Sequence, residues 1–410
     1  MVESLATNIM TGLQDITGYM YPNEFELHWG ILIVVYPYLT GLVAGAFILA
    51  SLERLFKVKA LQPVYRLSLL SALAFLFVAP LPLLAHLGHP ERSLEMFLTP
   101  NTRSAMAMFG FVYAWYLTVV LLLEIWFDYR KDIVIWSQER RGVMKLVYRI
   151  LTLGATDVSE KSILFDNQIG KIITIIGIPS AFLLHGYVGF IFGSVKANPW
   201  WSSVLMPIVF LFSAIVSGIA LVLLVYMVTT MFRWKTMNMA CLDKLAELLF
   251  YAIIVDFSLE LLDFIQRLYE SEESIHILSQ MVSSRLFISL VISQVILGSI
   301  IPMVSLVWAR FGKIPDEMRR MAYFISAILV QVGIFSTRWN VVIGGQLFSK
   351  SLRGLTVYKM ELFGLEGVLM TGFLLILPLI ILYILTKLLT PWTDSVEPLQ
   401  RSLVRNHGSK

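Results

Sequence analysis

Nine separate apolar runs, each about 20 residues or longer, leave this chain few folds to choose from, because that is the length a helix needs to cross a bilayer. They fall at roughly 27–50, 64–88, 104–127, 170–194, 202–231, 244–268, 286–309, 319–341 and 363–389. Charged residues make up only 15% of the chain against 57% hydrophobic, whereas a soluble domain carries about a quarter charged residues. The expected fold class is therefore all-α, a polytopic integral membrane protein. The net charge of +4 is modest and sits in particular loops, which argues against nucleic acid as a partner. Cys241 is the one cysteine, so neither an internal disulfide nor an iron–sulfur cluster held by the chain's own thiolates is expected. Its plainest reading is a small core residue. The first twenty-odd residues are mildly amphipathic and acidic, and without a basic n-region they do not read as a cleavable signal peptide.

Basic loops orient such a chain, since Lys and Arg collect on the cytoplasmic side. Arg54, Lys57, Lys59 and Arg66 mark the first connection, and Arg130, Lys131, Arg140, Arg141, Lys145 and Arg149 the third. Arg233, Lys235 and Lys244 mark the fifth, Arg310, Lys313, Arg319 and Arg320 the seventh, and Arg401, Arg405 and Lys410 the tail. With nine spans, all five lie inside. The N-terminal arm and the acidic loop with Glu270, Glu272 and Glu273 lie outside, and only the 342–362 loop, with Lys350, Arg353 and Lys359, breaks the rule. The N-terminus is expected outside and the C-terminus in the cytoplasm. The 128–168 connection, basic and helix-periodic, is expected on the cytoplasmic surface.

This topology puts His28, His86, His89, Glu91 and Arg92 at the outer face, with the far end of the fourth span beside them. Polar groups so close to hydrocarbon are costly without a partner or a task. His185 and Tyr187 lie in the outer third of the fourth span. Imidazole and phenol can hydrogen-bond a quinone carbonyl and exchange protons with it; the plainer reading is a satisfied core histidine and a packed tyrosine. In the sixth span Asp256, Glu260, Asp263 and Arg267 are spaced four, three and four apart and share one helical face. That face reads as a proton path, or as an ion-paired seam against another helix, with Arg338 as a partner. Glu53 and Glu124 stand near cytoplasmic helix ends, either solvated or at the inner mouth of a path. Gly41 and Gly45 form a small-xxx-small face on the first helix that admits a close neighbour. Pro80 and Pro82 are expected to loosen the end of the second.

The run LGHPER at 87–92, followed by a serine-bearing helix start, resembles the LGxPER loop of the NrfD family, the membrane subunits of polysulfide reductase and related quinone-linked oxidoreductases. HGYVGFIF at 185–192 resembles the fourth-helix segment in which these subunits place a quinone-contacting tyrosine, here Tyr187. His28 matches a histidine used beside it in the polysulfide reductase branch. Two departures stand out: Glu24 (with Asn23 next to it) replaces the asparagine that accompanies that histidine, and His86 replaces an aspartate before the LGxPER run. RWNVVIGGQ at 338–346, NPWW at 198–201 and Glu361 resemble a longer branch, which includes the membrane subunit of the hydrogenase-2 type and the DsrP subunit of sulfite-reduction-linked complexes.

The resemblance covers nearly the whole chain. It implies two four-helix bundles plus an extra C-terminal helix: an outer arm 1–26, a first bundle 27–194, a second bundle 195–341, an outer loop and ninth helix 342–390, and a cytoplasmic tail 391–410. It implies a prokaryotic cytoplasmic membrane and a quinone, menaquinone or ubiquinone, held by His28, His86, His185, Tyr187 and Arg92, with His185 and Tyr187 carrying the chemistry. The proton path candidates are Asp256, Glu260, Asp263, Arg267, Glu124 and Arg338. A ferredoxin-like iron–sulfur subunit would dock on the outer side at Glu91–Arg92, with catalytic or cytochrome subunits beyond it. Haem would need two axial imidazoles on facing helices; no helix here repeats a histidine, and no haem is expected. The resemblance thus points to a quinone-exchanging subunit in sulfur-compound metabolism. The alternative, from another class, is a proton- or ion-translocating subunit with no quinone site.

Overall fold

The structure, a computed structural model, describes residues 16–25, 27–270 and 274–392. Most of the acidic arm, Glu272, Glu273 and the tail from 393 onward lie outside the described residues. Among the described residues eight helices are long and apolar enough to cross a membrane: α1 Ile31–Arg54, α2 Lys59–His86, α3 Met108–Glu139, α4 Glu160–Gly193, α5 Met206–Phe232, α7 Phe287–Phe311, α8 Asp316–Gln346 and α9 Val368–Leu388. Between α5 and α7 runs α6, Met239–Glu270, 32 residues long and more heavily charged. The chain is a multi-pass helical membrane protein. The α1 start, the 86–104 loop and the α8 end lie together on what is called here the His86 side; the Arg130 end of α3 defines the basic side.

Glycine sets the closest crossing. A Cβ at Gly45 would lie 1.9 Å from the Ala214 carbonyl of α5, and one at Gly218 would meet the Gly45 backbone at 2.2 Å. The small-residue face of α1 therefore brings α5 into backbone contact, which in lipid replaces hydrophobic drive with van der Waals packing. Gly298 of α7 and Gly333 of α8 repeat the device where those two helices meet, with a Cβ at Gly298 2.3 Å from the Gly333 Cα. Helix α5 packs on α1, α4, α6 and α8, α7 packs on α8, and α9 packs on α2. One hydrophobic core, including Leu39, Phe47, Leu70, Leu184, Ala220, Leu245 and Tyr323, runs through these helices.

The basic connection between the third and fourth spans is shorter than its sequence reads. Helix α3 continues to Glu139 and α4 already starts at Glu160. Buried ion pairs extend both: Arg130 bonds both oxygens of Asp166 at 2.7–2.9 Å, and Arg66 reaches Asp128 at 2.8 Å and Asp132 at 2.7 Å. What remains holds a short helix, Val143–Leu151, with Val143, Leu146 and Ile150 exposed, as in helices that lie in a membrane interface.

Candidate functional site

At Pro80 the second helix loses the N–H that would bond the Leu76 carbonyl. The Tyr113 hydroxyl of α3 donates to that carbonyl instead, and α2 resumes at Leu81. This places the α3 aromatics against α1 and α4. Phe109 meets Tyr36 edge-on at 5.2 Å and stacks on Tyr187 at 6.4 Å. Both phenol oxygens, of Tyr36 and Tyr187, are buried without a hydrogen-bond partner. Buried hydroxyls are nearly always paired; the Tyr116 and Tyr129 hydroxyls are likewise unpartnered, but Tyr36 and Tyr187 are set apart by flanking one ring, Phe109.

His185 does not share this junction. Two positions along a helix are about 200° apart in angle, and His185 points into the centre, where it is fully buried. Its Nε2 meets an Arg338 Nη2 at 3.1 Å and its Nδ1 the Thr40 hydroxyl at 3.2 Å. Guanidinium only donates, so Nε2 is the acceptor and the Nδ1 hydrogen donates to Thr40. Thr40 in turn lies 3.2 Å from the Tyr36 carbonyl and 3.3 Å from that of Pro37. A Cβ at Gly41 would stand 3.1 Å from the imidazole. The sequence pairs His185 with Tyr187; the structure separates them onto opposite sides of α4.

The other outer residues are also dispersed. His28 and Arg92 are exposed. His86 pairs with Glu366 at the start of α9 at 2.7 Å, and His89 pairs with Glu91 at 3.0 Å on the exposed loop. Glu24, standing where the family resemblance leads one to expect asparagine, accepts from Ser349 and from the Lys350 N–H at 3.2 Å. It ties the N-terminal segment to the 342–362 loop. Gln346 does the same through two 3.1 Å bonds to the Trp29 backbone.

The α6 row forms a seam with α8. Asp256, Asp263 and Arg267 are buried. Asp263 bonds Ser203 and Arg267; Arg267 also donates to the Trp200 carbonyl at 2.6 Å. Arg338, fully buried, donates to Ser213 at 2.5 Å and lies over the Phe210 ring at 4.2 Å. Its Nε and Nη1 lack hydrogen-bond partners, as does Asp256 Oδ1, and Asp256 and Glu260 are the carboxylates whose charge bears on it, without a close ion pair. The NPWW run closes this region: Trp200 and Trp201 donate to the Asn340 and Val341 carbonyls at 2.8 and 2.6 Å, and Asn198 to that of Gly345 at 2.7 Å. These are the last carbonyls of α8, which no intrahelical N–H can reach. On the basic side Glu124 is buried, accepts from Thr174 at 2.7 Å and leaves Oε2 unpartnered; Glu53 is only partly buried.

Sequence reasoning missed Tyr36, Thr40, Gln294 and Asn340. Gln294 was readable as a carboxamide in an otherwise apolar run; Tyr36 carried no signal beyond an aromatic in a helix.

Fold and site together define a multi-pass membrane protein whose buried polar groups gather at helix junctions within the spans. The family described as "Polysulphide reductase, NrfD" matches residues 22–350, and the chain belongs to that family. It is 33% identical over 325 residues to a selenate reductase subunit of Mesobacillus selenatarsenatis, covering 77% of this chain and 73% of that protein. It is 28% identical over 229 residues to a putative dimethyl sulfoxide reductase membrane subunit of Halobacterium salinarum, covering 54% of this chain and 48% of the relative. With protein NrfD of Escherichia coli it shares 26% over 205 residues, 49% of this chain and 60% of that protein.

Proposed function

We propose that this chain is the membrane subunit of a multi-subunit reductase and exchanges electrons between the membrane quinone pool and an iron–sulfur partner. The observation that carries the reading is the pair of unpartnered buried phenols, Tyr36 and Tyr187, flanking Phe109. A quinone bound there supplies two-electron, two-proton chemistry. The chain's own residues offer two O–H donors for its carbonyl oxygens and an aromatic wall for its ring. His185 is a positioning residue in this reading: through Thr40 it braces the Tyr36–Pro37 backbone. His28, His86 and Arg92 serve proton exchange and docking on the His86 side, which we assign to the outside of a prokaryotic cytoplasmic membrane. The partner is a ferredoxin-like iron–sulfur subunit on the loop bearing Glu91 and Arg92. The relatives' names suggest reduction of an oxyanion or sulfoxide on a further subunit; the finer reading is sulfur-compound metabolism of the DsrP type.

The test is quinone affinity of the purified protein in nanodiscs. Tyr36→Phe and Tyr187→Phe are each expected to weaken binding about 5- to 10-fold, the worth of one hydrogen bond. Unchanged affinity in both variants rejects the site. No quinone binding by the intact protein, with ion flux instead, would favour the second reading, which the charged α6 row supports: proton or ion translocation.

A further inference from the structure

Between α6, α7 and α8 lies a cavity of about 340 Å³ that the phenol junction does not use. Its position follows from how α6 and α7 pack. Helix α6 touches the basic-side half of α7 closely and parts from the other half, Phe287–Ile300. That half is a π-helix, wider than an α-helix and often found at functional positions. Thr337 and Asn340 of α8 line the gap, and Leu261, also in its lining, is 48% exposed.

The polar wall has a direction. Ser289 donates to Asn340 Oδ1 at 2.6 Å, Asn340 donates to Gln294 Oε1 at 2.7 Å, and Gln294 donates to Glu260 at 3.0 Å. Thr337 also lies 3.3 Å from Glu260. The donors point along the chain and end on a carboxylate that still has lone pairs to offer. Three carboxylates, Asp256, Glu260 and Asp263, stand in this seam against two guanidiniums, Arg267 and Arg338. Of these, Glu260, Asp263 and Arg267 line the cavity, one carboxylate in excess; the other polar lining groups, Gln294, Thr337 and Asn340, belong to the chain around Glu260, and the rest, including Phe257 and Phe264, is apolar.

We propose that this cavity is a second binding site, selective for the reduced, hydroxyl-bearing quinol. Its ring would lie among the aromatic side chains, one O–H would donate to Glu260, and its tail would leave through the α6–α7 gap. A quinone in the oxidised form has no donor for Glu260. A phospholipid ammonium could donate, but its phosphate would bring negative charge to a wall already in carboxylate excess. The proposal concerns binding only, and it rests on the quinone-exchange reading for its ligand class, not for its location.

The experiment is photolabelling of the full-length protein in nanodiscs with a diazirine-bearing naphthoquinol or the matching naphthoquinone, followed by peptide mapping. The expected result is quinol label on 257–264 and 290–295, about tenfold weaker with the quinone. Glu260→Gln should lose most of that label. Leu261→Trp, which adds bulk to the lining and leaves the hydrogen-bond chain intact, should lose it too and covers the case in which Glu260→Gln does not fold. Tyr187→Phe should leave it unchanged. Equal labelling by both redox forms, label insensitive to Leu261→Trp, or a co-purified phospholipid in the cavity that quinol cannot displace would each overturn the proposal. Label in the cavity without label near Tyr36 and Tyr187 would sink the phenol-site reading and leave this one standing.

Discussion

The α1–α3–α4 junction and the α6–α7–α8 cavity are both polar sites inside apolar helices, but they are built with opposite polarity. The first ends in two hydroxyl donors with no acceptor, Tyr36 and Tyr187. The second ends in an acceptor, Glu260, at the close of a chain of donors that already point toward it. Burial makes each kind of incompleteness costly, so each site favours the ligand that supplies what it lacks. Between them stands Arg338, bonded to His185 and Ser213. Arg338 lines neither site: it reaches the junction only indirectly, through His185 and Thr40 to the Tyr36 carbonyl, and bears on Asp256 and Glu260 by charge.

The largest effect should come from breaking that link. Arg338→Leu leaves Asp256 and Glu260 without their counter-charge and His185 without a donor. Removing one partner of a buried charge cluster costs about 3–5 kcal/mol, so the variant should be lost from the folded, detergent-extractable pool, as read by size-exclusion yield. Recovery at parental yield with an unchanged melting temperature would mean that the two sites do not depend on each other. Next comes Asn340→Leu, which cuts the directed chain, leaves Ser289 only its 3.3 Å bond to the Leu286 carbonyl, and strands the Gln294 carbonyl oxygen. About 2 kcal/mol of stability should go, seen as a lower melting temperature, with the phenol junction still binding quinone. A parallel loss of quinone affinity there would erase the distinction between the sites.

How much of this could be read from sequence follows the same division. Apolar runs gave away the nine long helices of the described residues, although the sixth is too heavily charged to count with the eight that are apolar enough to cross a membrane, and the carboxylate spacing in VDFSLELLDFIQRL put Asp256, Asp263 and Arg267 on a buried face with Glu260 at its edge. Arg338 was visible as a charge in an apolar run, and the structure sets it between that face and His185. The ends of α3 and α4 were not legible, because the pairs that extend them, Arg130–Asp166 and Arg66–Asp132, join residues 36 and 66 positions apart. The phenol junction was half legible. Tyr187 stands out in the sequence, but helical angle places it away from His185, and its true companion Tyr36 is distant in sequence and bears no charge. Nor does sequence show that Glu24 is consumed in bracing Ser349 and Lys350.

A smaller effect separates donors that await a ligand from donors that hold the fold. The double variant Tyr36→Phe/Tyr187→Phe removes two hydroxyls that bond nothing in the protein. Its melting temperature without ligand should hold steady or rise, by an amount worth about 1 kcal/mol at most, while quinone no longer stabilises it. A clear drop in the ligand-free protein would show that these hydroxyls have structural partners, and the contrast with Glu260 would fail.

The smallest effect tests the acceptor side. Thr337→Val removes a hydroxyl that lies 3.3 Å from Glu260 and 3.1 Å from the Gly333 carbonyl. A serine or threonine that bonds back to its own helix adds little to stability, so the cost should be about 0.5 kcal/mol. The more telling readout is ligand preference. Without Thr337 the carboxylate keeps one donor, Gln294, and has more capacity for a ligand O–H. Quinol labelling of 257–264 should hold or rise slightly relative to quinone. If it falls as far as in Glu260→Gln, the hydroxyl itself contacts the ligand, the wall offers a donor after all, and the cavity would accept the oxidised form on the same terms as the phenol junction.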